Sequence, residues 1–159
     1  MKKATFLFLL LVLAVALSAQ ASLFGLEFGA KTEDVKALLK SKGFSEYSQN
    51  DNFMVFTPAS ASVIPTIKLT LTDDGSKLYR WTVTYPTTGN EDITLDVLAA
   101  LAEIHGTVDV VDDYGMDYIW YFPGDRALYI NDIGDKLLLD YTFGNWDDDD
   151  YYWYEDYGY

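Results

Sequence analysis

The sequence predicts an α+β fold of two helix-plus-four-strand repeats, with the helices packed on one face of an antiparallel sheet. Helical apolar spacing occurs twice, over residues 32–42 and 93–105, and a glycine follows each time. Short runs that alternate apolar and polar residues follow each helix. The turns between these runs are short, and short turns join antiparallel strands because parallel neighbours need a long crossover.

The first predicted helix has a start signal, an apolar stripe and a stop signal. Thr32 is predicted to cap it, and Glu33 and Asp34 are favourable in the first turn. Gly43 fits the position just after the helix, where a left-handed backbone is common. The apolar stripe has the i, i+3, i+4 spacing and consists of Val35, Leu38 and Leu39.

The second predicted helix has a longer stripe. Asn90 or Thr94 is predicted to cap it, and Gly106 closes it. His105, the only histidine, falls at its C-terminal end, where a charged imidazole would interact favourably with the last carbonyl groups. We therefore expect His105 to be dispensable for activity. The stripe consists of Ile93, Val97, Leu101 and Ile104.

Eight strands are predicted, four in each half of the chain. A hairpin turn over residues 73–76 and a hinge over residues 86–89 are the strongest loop signals. The hinge divides the chain into a first repeat over residues 22–88 and a second over residues 89–144. The predicted strands cover residues 44–49, 53–57, 66–72, 77–85, 107–111, 117–122, 127–132 and 136–143.

One face of such a sheet would carry no helix. Several strands, among them residues 53–56 and 118–122, are apolar at both alternating positions. Either these are central strands covered on both faces, or they form an exposed aromatic surface that meets a partner.

Residues 1–21 are typical of a bacterial secretory signal peptide. Two lysines precede an apolar run, and Ala19 and Ala21 stand at the −3 and −1 positions of a cleavage site. The alternative is an uncleaved membrane anchor. Cleavage predicts a periplasmic or extracellular protein that begins at Ser22 and, lacking another long apolar run, does not insert into the membrane.

Composition excludes several functions. A net charge of −14 is unsuited to nucleic-acid binding. The absence of cysteine excludes disulfide scaffolds, thiolate metal sites and cysteine nucleophiles. The acidic pairs at 73–74 and 112–113 fall in turn signals, where aspartate bonds its own backbone. We predict no catalytic residue, no metal and no cofactor.

Residues 145–159 form an acidic aromatic tail. Seven aromatic and six acidic residues lie within residues 146–159. Three interpretations compete: a solvated tail, a segment that recognises another protein of basic character, and weak Ca²⁺ binding by aspartate oxygens. The predicted partner-binding residues are Trp81 and Trp120 in the sheet and Tyr151, Tyr152, Trp153 and Tyr154 in the tail.

Residues 28–39 combine a Phe-Gly entry, an acidic first helical turn and a Val-x-x-Leu-Leu stripe. This pattern resembles the repeat unit of β-lactamase-inhibitor-protein-like secreted domains, in which a helical segment precedes a four-stranded antiparallel sheet. The resemblance implies two tandem units over residues 22–143, one concave sheet and a binding role. Members of that family carry disulfides, which this chain lacks, and no inhibitory contact residue matches.

The predicted function is therefore an extracytoplasmic, non-catalytic protein-binding module. The alternatives are a small carboxylate-dependent hydrolase or carbohydrate binder, and a structural protein of the cell envelope. A broad aromatic patch on the open sheet face would favour protein binding, whereas a narrow cleft with converging carboxylates would favour the hydrolase.

Overall fold

Eight strands form one antiparallel sheet in the computed structural model, which describes residues 24–50, 52–58, 65–88, 92–111 and 117–143. Two helices accompany the sheet in these ranges, and neither is long and apolar enough to cross a membrane. In chain order the elements are α1 (Thr32–Ser41), β1 (Phe44–Gln49), β2 (Phe53–Pro58), β3 (Thr66–Leu71), β4 (Leu78–Pro86), α2 (Ile93–His105), β5 (Val110–Val111), β6 (Asp117–Phe122), β7 (Arg126–Asp132) and β8 (Lys136–Phe143).

The strand order corrects the predicted fold class. The strands lie in the order β1-β2-β3-β4-β8-β7-β6-β5. The last strand of the first half, β4, therefore pairs with the last strand of the second half, β8. This pairing extends from Trp81 opposite Tyr141 to Pro86 opposite Lys136. The prediction of two helix-plus-four-strand repeats is wrong, because the halves share one continuous sheet. The fold is predominantly β, with two helices.

One hydrophobic core serves both halves of the chain. Leu39 of α1 and Leu101 of α2 are fully buried in the same cluster as the inward-facing residues of the sheet. At the join between the halves, the Trp81 and Tyr141 rings stack with centroids 4.7 Å apart. Neither half has a core that is complete without the other.

Helix α1 is attached to the sheet through its first residue. The side chain of Thr32 does not cap the helix, because its hydroxyl donates a hydrogen bond to the carbonyl of Gly75 at 2.7 Å. Lys31 holds the N-cap position instead. The predicted stop is confirmed, since Gly43 follows the helix with a positive φ of 85°.

Helix α2 turns its stripe towards the core at strict four-residue intervals. Ile104 is 38% exposed, and His105 occupies the inward position that Ile104 was predicted to take. Thr94 donates to Asp132 Oδ2 at 2.9 Å and does not cap the helix. The predicted alternative cap, Asn90, lies outside the described residues. The inward positions are Ile93, Val97, Leu101 and His105.

Seven predicted strands are confirmed, with bounds that differ from the structure by no more than about two residues. In these strands the apolar alternation and the turn residues indicate the same bounds. The fifth is shorter than predicted and covers only Val110–Val111.

In the hairpin between β3 and β4, Asp74 accepts bonds from the Thr72 hydroxyl at 2.6 Å and the Ser76 amide at 3.0 Å. The bond from Thr72, followed by those from Ser76, lowers the pKa of Asp74 to about 2. The carboxylate thus holds the turn.

Candidate functional site on the open sheet face

Alternation along the strands gives the sheet two different faces. Both helices cover one face, and we call the other, which carries no helix among the described residues, the open face. Direct strand pairing aligns its side chains in rows across the sheet. The middle row consists of Val55, Lys68, Thr82, Asp140, Tyr129, Ile119 and Val110.

An arginine–carboxylate pair occupies the centre of the open face. Arg80 Nε donates to Asp140 Oδ1 at 2.8 Å, and Nη2 of the same guanidinium donates to Oδ2. The Arg80 side chain is 26% exposed and that of Asp140 is 11% exposed. Two parallel charge-assisted bonds fix the guanidinium plane against the sheet. About a quarter of the Arg80 side chain therefore remains accessible to solvent.

Two tyrosines extend this centre towards the β6 side. Tyr129 stands directly opposite Asp140, and Tyr121 lies on the neighbouring strand with 57% of its surface exposed. Burial, and then the nearby Tyr121 and Asp140, raise the pKa of Tyr129. Its hydroxyl therefore stays protonated even at a pH at which an ordinary tyrosine ionises.

On the β2 side, the open face becomes threonine-rich and carries a lysine. Lys68 places its ammonium 5.2 Å from the centre of the Phe53 ring, within cation–π range. Thr82 separates this lysine from Asp140 in the row, and the Thr82 hydroxyl lies 3.4 Å from Asp140 Oδ1. The face thus combines an aliphatic and aromatic side with a polar side.

The aspartates on the central strands of the open face do not form a pair with each other. Asp140 is engaged by Arg80, and strand β7 lies between it and Asp117, another carboxylate of this face. Those two carboxylates therefore stand on strands that are not direct neighbours. The described residues contain no group of three or more potential metal ligands.

His105 lies on the helix-bearing side, away from these groups. Its Nε2 is 3.0 Å from the Tyr141 hydroxyl oxygen, and its ring centroid is 4.9 Å from that of Phe122. Burial lowers the pKa of His105 to about 4, so the ring is neutral at neutral pH. The predicted interaction of a charged imidazole with the helix end is therefore wrong. That His105 is dispensable for activity stays a prediction.

This burial predicts a stability change in mild acid. Because the pKa of His105 is lowered to about 4 in the fold from an ordinary 6.5, the unfolded chain binds more protons between these values. The stabilisation by neutral His105 is complete above the pKa that His105 has in the unfolded chain. It is lost as the pH falls towards the lower pKa that His105 has in the folded protein. From pH 7 to 5, wild type should lose about 1 kcal/mol more unfolding free energy than His105→Gln, allowing for solvent screening. Denaturant titrations of both proteins measure this, and parallel pH curves would contradict it.

The predicted partner-binding residues of the sheet are buried. Trp81 is 0% exposed and Trp120 is 3% exposed, and both rings lie on the helix-bearing side. Trp120 Nε1 donates to the carbonyl of Gly106 at 3.0 Å, so this indole fixes the end of α2. The remaining four predicted contacts, which lie outside the described residues, are Tyr151, Tyr152, Trp153 and Tyr154.

Sequence reasoning missed the residues that stand at the centre of the open face. Arg80 and Asp140 are polar residues in otherwise apolar strands, and each occupies the opposite alternation from its buried neighbours. A charged residue within an apolar strand was the sequence signal that could have identified these two residues. The strand order needed to join the two was not predictable from turn lengths.

No family model matches this chain, and comparisons with curated proteins and with solved structures found no match either. The resemblance of residues 28–39 to inhibitor-like repeats stays a prediction. Functional assignment therefore depends on the chemistry of the open face.

Proposed function

We propose that this protein is an exported, non-catalytic module that binds another protein through its open sheet face. The observation that carries the proposal is the Arg80–Asp140 pair at the centre of a helix-free sheet face, with Tyr129 and Tyr121 beside it. Arginine and tyrosine are among the residue types most enriched at the energetic centres of protein interfaces. The half-buried pair holds its guanidinium at a fixed orientation, which reduces the entropy lost on binding.

The size of the face favours a macromolecular ligand. Its middle row crosses seven strands, from β2 to β5, which corresponds to about 29 Å at the usual strand spacing. That width suits a protein surface, whereas a small ligand is usually enclosed by a concave pocket. Threonine and lysine on one side and tyrosine and isoleucine on the other give the face polar and apolar contacts.

Two parts of the proposal concern segments outside the described residues. Export rests on the signal-like character of residues 1–21. The tail over residues 145–159 is proposed as an additional recognition segment, because its tyrosines and tryptophans are suited to anchoring.

The test compares two exposed tyrosines by affinity capture from the native cell envelope. Tyr121→Ala removes a ring from the open face that is 57% exposed, whereas the control Tyr47→Ala removes a ring from the edge strand β1 that is 77% exposed. We expect Tyr121→Ala to lose the captured protein and Tyr47→Ala to retain it. Equal capture by both variants, or capture of a polysaccharide in place of a protein, would contradict the proposal.

A further inference from the structure

The charge of this protein is divided unequally across the sheet. Residues 22–88 hold seven acidic and seven basic residues, whereas residues 89–143 hold twelve acidic residues and two basic ones, Arg126 and Lys136. Since β4 pairs with β8, strands β1–β4 occupy one side of the sheet and β5–β8 the other. Among the residues that the structure describes, the division along the sequence is therefore also a division in space: six acidic and seven basic residues lie on one side, and nine acidic and two basic residues lie on the other.

Exposed apolar side chains are concentrated on the same acidic side. Eight large apolar or aromatic side chains are exposed in the part of the chain that the structure describes, and six of them belong to residues 89–143. Two of the six, Val110 and Tyr121, lie on the open face. With half-buried Ile119 and Tyr129 they make up what we call the β6 patch. The six are Leu95, Ile104, Val110, Val111, Tyr121 and Ile133.

Building on the protein-binding function above, we propose that the partner contacts the β6 patch with a basic surface that also carries apolar side chains. Two aspartates lie next to the patch. Asp109 Oδ2 accepts the Tyr121 amide at 2.7 Å, which keeps this carboxylate beside the exposed ring, and Asp117 precedes Ile119 by two positions on the same face. Lysine and arginine on the partner would be attracted by the acidic side while the patch buries its apolar contacts.

Charge argues against two other occupants of the patch. A second copy would bring two acidic sides together, and like charges across an interface are costly. The chain's own C-terminal segment, residues 144–159, contributes six more acidic residues and no lysine or arginine. Only a partner of opposite charge is complementary to this side of the sheet.

The experiment removes the same amount of negative charge from each side of the sheet. One variant neutralises four carboxylates that lie beside the patch or in the turns of its strands, and the matched control neutralises four exposed carboxylates of the neutral side. Net charge therefore changes equally in both. The acidic-side set is Asp109→Asn, Asp117→Asn, Asp125→Asn and Asp135→Asn. The control set is Glu27→Gln, Asp34→Asn, Glu46→Gln and Asp73→Asn.

The probe is a short peptide that alternates lysine with leucine and tyrosine, compared with the same peptide carrying glutamate for lysine. In NMR titrations of the full mature chain, the lysine peptide should perturb Val110, Ile119 and Tyr121. The acidic-side set should weaken its binding about fivefold and the control set less than about twofold. Equal weakening by both sets, or equal binding of the glutamate peptide, would overturn the proposal.

A third variant separates this proposal from the one on which it rests. If Tyr121→Ala weakens binding while neither charge set does, the open face binds protein but the basic partner is refuted. If Tyr121→Ala and both charge sets leave binding unchanged, the open-face function fails together with the inference.

Discussion

Replacing Asp140 with alanine should lower the free energy of unfolding by about 2–4 kcal/mol and abolish binding through the open face. The substitution removes the carboxylate that accepts both bonds of the Arg80 fork, and that guanidinium lies on a sheet surface where its side chain is only 26% exposed. The Arg80 cation would lose the carboxylate bonded to it, and breaking such a pair costs more than the pair itself contributes. Denaturant unfolding of the folded variant measures the loss.

A double substitution serves as the control for this prediction. Arg80→Met with Asp140→Leu removes both charges and keeps similar side-chain volume, so it should be less destabilised than Asp140→Ala alone. The double variant should nevertheless fail to bind, because the oriented guanidinium is gone. A loss below about 0.5 kcal/mol in Asp140→Ala would mean that the pair behaves as an ordinary surface ion pair. The open face would then lack its proposed fixed centre.

How far the sequence predicts this molecule varies from strand to strand. The bounds of β1, β6 and β8 were predicted as the structure has them, because turn residues and strand composition agree there. Alternation placed Trp81 on the same face as Val83, so its burial was available from the pattern. Trp120 follows Tyr118 and Ile119 in a run that is apolar at every position, and such a run does not specify which face is buried.

The centre of the open face depends on a contact that no local pattern encodes. Arg80 and Asp140 lie 60 positions apart in the chain and meet only because β4 pairs with β8. The predicted apolar stripe of helix α2 was also wrong at its last position. The predicted stripe, taken at three- and four-residue steps, selected Ile104, whereas the helix turns His105 inward. The sequence had assigned His105 only an interaction with the carbonyl groups at the helix end.

Expressed separately, residues 22–88 and residues 89–159 should each be unfolded, because the two halves of the chain depend on the pairing between β4 and β8. The fully buried side chains of Val83 and Leu139 stand opposite each other across this pairing. Cutting the chain exposes both, leaves two long unpaired strand edges and divides one core into two small ones. Circular dichroism and amide NMR spectra of each fragment should show little persistent structure.

Mixing the fragments provides the control, because it restores every contact except the covalent link. We expect the mixture to regain the antiparallel sheet, and the intact chain to unfold in one cooperative transition. Independent repeats make the opposite prediction: each fragment would melt cooperatively by itself, and the intact chain would lose its two halves at separate temperatures. A folded fragment of residues 22–88 would therefore contradict the single-sheet account, since Trp81 in that fragment would have to be buried without the Tyr141 ring on which it stacks. An unfolded fragment that refolds only when residues 89–159 are added would place the folding unit at the whole sheet, with the open face formed only when the two halves assemble.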